Sequence, residues 1–132
     1  MEVLASYLAA LVVFVILDLI WIKMIMRPIF VSDIGDLMLE DPRVTPAITF
    51  FLAYQAGIVY FAVVPAVEAG SWMIAAAHGA LLGLIAYGTY ETTNLATLKR
   101  WTNRMLAIDI GWGTASSAVS AVVGYAVYMA MV

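Results

Sequence analysis

Three carboxylates stand inside apolar stretches of this chain: Asp18, Glu91 and Asp109. An ionised side chain in hydrocarbon costs about 2.5–3.5 kcal/mol or more, so each such acid needs a partner or a purpose. Asp18 and Asp109 are each followed three residues later by a tryptophan, Trp21 and Trp112. Tyr87, Tyr90, Glu91 and Asn94 recur at i, i+3, i+4 and i+7. On a helix that spacing puts two phenols, a carboxylate and an amide on one face. Carboxyls so placed can serve as general acid or base, or hold a hard divalent cation through oxygen. Aromatic walls beside them also suit an amphipathic molecule. The candidate ligand-binding set is therefore Asp18, Trp21, Tyr87, Tyr90, Glu91, Asn94, Asp109 and Trp112.

The elements that hold these residues follow from composition. Of 132 residues, 65% are hydrophobic and 11% charged, whereas soluble domains are about half apolar and roughly 25% charged. The mean hydropathy is +1.01, and a water-soluble fold is not expected. A bilayer span takes about 20 apolar residues, and four such runs can be marked, about 3–22, 47–66, 71–92 and 105–128. The expectation is one transmembrane domain over 1–132, all-α, an integral membrane four-helix bundle. No cysteine is present, which removes disulfides, thiolate metal sites and cysteine nucleophiles. The first run lacks a basic leader and a small-residue cleavage pattern, so it reads as a retained helix.

Pro28 is expected to stop regular continuation of the first helix. Between it and Pro46, Ile34, Leu37 and Met38 recur at helical spacing among Asp33, Asp36 and Glu40, the pattern of a short interfacial helix. Every basic residue falls in two connections: Lys23, Arg27 and Arg43 in the first, Lys99, Arg100 and Arg104 in the third. Positive charge marks the cytoplasmic side, so the chain reads N-out, C-out. Asp18 and Asp109 then lie about four residues inside their helix ends, roughly 6 Å deep at 1.5 Å per residue. Glu91 and its neighbours reach the same level. The result is an acidic pocket opening to the cytoplasm, edged by Lys99, Arg100 and Arg104.

A competing reading pairs Asp109 with Arg104 or Arg100 and Asp18 with Lys23 or Arg27, leaving only an ion-paired helix junction. Ala75, Gly79 and Gly83 on the third helix, and Gly113, Ser117 and Ala121 on the fourth, are small residues at four-residue spacing, read as packing ridges. His78 stands alone and reads as a hydrogen-bonded packing residue. Tyr54 and Gln55 read as bonds between helices.

The string Tyr87-Gly88-Thr89-Tyr90-Glu91-Thr92-Thr93-Asn94-Leu95-Ala96-Thr97-Leu98, then Trp101, then Asp109-Ile110-Gly111-Trp112-Gly113, resembles a bacterial family of small predicted membrane proteins catalogued as a domain of unknown function. The resemblance covers nearly the whole chain, Asp18 and Trp21 included. The family usually has aspartate then leucine where this chain has Glu91 and Thr92, so charge is kept on a longer side chain. The resemblance implies a four-span, multi-pass protein of the bacterial inner (plasma) membrane and names no reaction.

Three functions are open at this point. The polar cluster can bind a lipid, quinone or other amphipathic molecule, with or without catalysis. The chain can be an accessory or assembly subunit of a larger membrane complex. It can be a small proton-coupled transporter in which Asp18 exchanges protons and two copies form the path. Expected partners are membrane lipid and a membrane protein or second copy, with no nucleic acid. The residues name no cofactor and no metal.

Overall fold

The computed structural model describes residues 1–132 and contains helices and no strand. Four long helices make up the chain: α1 Glu2–Leu37, α2 Val44–Ala69, α3 Trp72–Thr97 and α4 Asn103–Met131. Each is long and apolar enough to cross a membrane. Short connections reverse the chain each time, as in an up-and-down bundle. All six basic residues therefore gather at one end of the molecule. Both termini and the Gly70 turn, with Gly70 in the left-handed region at φ 63°, are at the other.

Pro28 does not end the first helix. Regular α-helix gives way at Ile22–Met26 to a wider π turn, resumes over Arg27–Ile34 and closes in a 3-10 turn at Gly35–Leu37. Proline lacks an N–H, and its ring presses on the carbonyl four residues back. A wide turn just before it takes up that misfit. The same device recurs in α2, where the π turn Val59–Val63 precedes Pro65. The short helix expected after Pro28 is thus the lower part of α1, held because Phe30 and Ile34 bury against Met105 of α4.

Lipid tails give helices no hydrophobic reason to associate, so close packing and hydrogen bonds hold them together. On α1 the buried stripe is Ser6, Ala10, Phe14 and Asp18, one residue every four. It meets α4, whose buried face includes Asp109, Gly113, Ser117, Ser120, Ala121 and Gly124. The Ser6 hydroxyl donates to the Gly124 carbonyl at 2.8 Å, and Ser120 lies 3.0 Å from the Ala10 carbonyl and 2.7 Å from the Gln55 amide oxygen. Tyr54 and Ser117 share a 2.6 Å hydrogen bond. Tyr54 and Gln55 thus join helices as their position in α2 suggests.

The small-residue ridges of α3 and α4 face each other. A Cβ on Gly79 would lie 2.7 Å from the Ser117 carbonyl oxygen and 2.8 Å from Ala121 Cβ, and one on Gly83 would collide with the Gly113 backbone. By contrast, the basic-end half of α2 stands apart. Residues 44–50 are exposed throughout, and packing begins one turn on, where Phe51 and Tyr54 meet Phe14 at ring separations of 5.5 and 5.7 Å.

Candidate functional site

Asp18 and Asp109 fall in the buried stripes of α1 and α4, which is why packing carries them inside. Asp109 is 3% exposed and Asp18 6%, while Glu91 of α3 is fully buried. Asp18 accepts a hydrogen bond from the Trp112 indole N–H at 3.1 Å. Trp112 in turn stacks on Trp21, ring centres 4.5 Å apart and planes 4° from parallel. The two Asp-x-x-Trp segments therefore meet, but unequally. Because the helices are antiparallel, Trp112 reaches the aspartate of the other segment, whereas the Trp21 N–H is buried without a partner.

Glu91 accepts from the Trp101 indole N–H at 2.7 Å, and its second oxygen is buried with no partner. The Asp109 carboxyl lies next to Glu91. Tyr87 is fixed by its ring, which lies flat enough on α4 that a Cβ at Gly113 would fall inside it. Tyr90 packs edge-on against Trp101 at 5.9 Å.

Between the exposed first turns of α2 and the other helices lies a cavity of about 540 Å³. Asp18, Asp109, Tyr87 and Tyr90 line it, so four of the eight sequence-predicted residues come together on one wall. Glu91, Trp112 and Trp21 stand behind that wall as the layer that holds it, and Asn94 lies outside. The apolar lining comes from Ile22 and Met26, one and two turns on from Asp18 along α1, and from Phe50 and Phe51 of α2, with Arg43 beside them. None of these five was singled out for the site from sequence. Apolar residues in a span carry no local mark of facing a cavity. Arg43 carried a signal, as a cation at the helix start nearest the acids, but read only as a topology mark.

The cations expected at the acids are engaged elsewhere. Arg100 donates two 2.8 Å hydrogen bonds to Asp36, which raise its pKa above the ordinary guanidinium value, and Arg104 pairs with Asp33. Thr102 donates to Asp33 at 2.7 Å while capping α4 through the Met105 N–H. These contacts tie the 98–102 connection to the end of α1. Neither Asp18 nor Asp109 has a salt bridge, which corrects the pairing of Asp18 with Lys23 or Arg27 and of Asp109 with Arg100 or Arg104. Lys99, Arg100 and Arg104 do not line the cavity; Arg43 takes that place.

His78 faces the far half of α2. Pro65 has no N–H to give the Phe61 carbonyl four residues back, and the His78 ring nitrogen Nδ1 lies 3.1 Å from that oxygen. The ring can supply the donor that the proline withholds, so His78, although exposed, makes a hydrogen bond between helices.

Four antiparallel spans, with an acidic cavity between the helices at one end, define a small multi-pass membrane protein. The predicted membrane protein family DUF2177 matches residues 3–126, and the chain belongs to that family. No curated protein and no solved structure matches it.

Proposed function

We propose that the cavity binds an amphipathic small molecule, a lipid, quinone or relative of these, on the cytoplasmic side of the bacterial inner membrane. The ligand's apolar part lies against Ile22, Met26, Phe50 and Phe51, and its polar part against Asp18, Asp109, Tyr87 and Tyr90. One observation carries this reading: two almost fully buried carboxyls open onto an apolar-walled space of about 540 Å³. Small-molecule sites of roughly 300–1,000 Å³ have this mixture of apolar lining and a few convergent polar groups. The side of the membrane follows from charge, since the end holding every Lys and Arg belongs in the cytoplasm, with both termini outside.

Native mass spectrometry of the gently solubilised protein tests the reading. The wild type is expected to retain a small molecule that Asp18→Asn loses. A stoichiometric protein partner with no small molecule would replace it by a role in assembly.

A further inference from the structure

Resting on that reading of the cavity, we infer that its ligand is a phospholipid whose headgroup carries both a primary amine and a phosphate. Two acids line this site, a third stands behind them, and no salt bridge answers any of the three. Arg100 and Arg104 are held by Asp36 and Asp33, and Lys23 and Arg27 are exposed without an acidic partner. Indole N–H groups reach Asp18 and Glu91, but no nitrogen donor reaches Asp109. The fully buried Glu91 beside it has one oxygen with no partner at all. Apart from the Tyr87 and Tyr90 hydroxyls, the wall thus lacks both positive charge and hydrogen-bond donors.

A primary ammonium supplies both, a charge and three N–H groups. A quaternary ammonium supplies charge alone, and a quinone supplies neither. A shared divalent ion suits the acids less well, because no three carboxylates or imidazoles converge closely enough to ligate one. Arg43 then finds a use. It lines the same cavity, is exposed and has no ion pair, and a guanidinium matches a phosphate through paired N–H donors. Acyl chains leave past Ile22, Met26 and Phe50 into lipid, through the gap beside the exposed half of α2.

The full chain in detergent, exchanged against dioleoyl-phosphatidylethanolamine, -phosphatidylcholine or -phosphatidylglycerol, gives the test by native mass spectrometry. The ethanolamine lipid is expected to be retained about tenfold over the other two, as one charge-assisted hydrogen-bond set is worth. Asp18→Asn and Asp109→Asn remove that preference. Arg43→Gln lowers retention of all three lipids alike. Phe50→Trp fills the apolar wall without touching an acid and lowers all three as well, so the result stands even where an Asn variant fails to fold.

Equal retention of the glycerol or choline lipid, or a preference unchanged in both Asn variants, overturns the inference. A quinone or the glycerol lipid held in an Asp18-dependent way overturns it while leaving the cavity reading intact. No retained amphiphile of any kind overturns both.

Discussion

Glu91 shows what a buried acid needs at the scale of single residues. Its only donor is Trp101, ten residues on in the connection to α4. Trp101→Phe keeps the ring contacts with Phe30 and Tyr90 but leaves the carboxyl wholly unpartnered. An orphaned buried polar group costs about 1–3 kcal/mol, so this variant is expected to unfold at lower temperature in detergent. An unchanged midpoint would mean that the bond contributes nothing. The three acids were legible in the sequence because charge in an apolar run is conspicuous. Their partners were not, since Trp112 and Trp101 reach across helices, and helical spacing says only which residues share a face. The nearest cations in sequence misled for the same reason: Arg100 and Arg104 point to α1, where they pair with Asp36 and Asp33.

At the scale of elements, the spans and the glycine ridges could be read from composition and four-residue spacing. The continuation of α1 through Pro28 could not. Proline's local rule gives a stop, and only the burial of Phe30 and Ile34 against Met105 offsets it. Two predictions belong here. Gly83→Ala pushes a methyl into the Gly113 backbone and should cost about 1–3 kcal/mol, the usual penalty of overpacking. Its readout is the thermal midpoint, with Gly88→Ala, which meets open space, as the control that stays unchanged.

The second concerns Pro65 and His78. His78→Phe strips the Phe61 carbonyl of its donor and should destabilise α2 against α3 by about 1 kcal/mol, in the range of membrane hydrogen bonds. In a Pro65→Ala background the backbone N–H restored at that position can serve the carbonyl, so the same His78 substitution should cost much less. Equal costs in the two backgrounds would show that His78 does something other than replace the missing N–H.

The whole molecule carries its charge at one end, and from that asymmetry follows the N-out, C-out orientation proposed above. The chain has no cysteine, so single cysteines report position cleanly. Ser71→Cys should react with a membrane-impermeant maleimide on intact cells, and Lys99→Cys only after permeabilisation. The reverse pattern would place the acidic cavity on the outer side. What the sequence hid at this scale is the cavity itself. It lies beside residues 44–50 of α2, which are exposed throughout, and nothing in a run of apolar residues distinguishes a packed turn from an unpacked one.

The decisive measurement compares wild type and Asp18→Asn by native mass spectrometry after gentle solubilisation. A small amphipathic molecule retained by the wild type and released by a folded variant is the predicted result. Wild-type protein that carries no such molecule, or a variant that carries it equally, would contradict a ligand-binding role for the Asp18–Asp109 cavity.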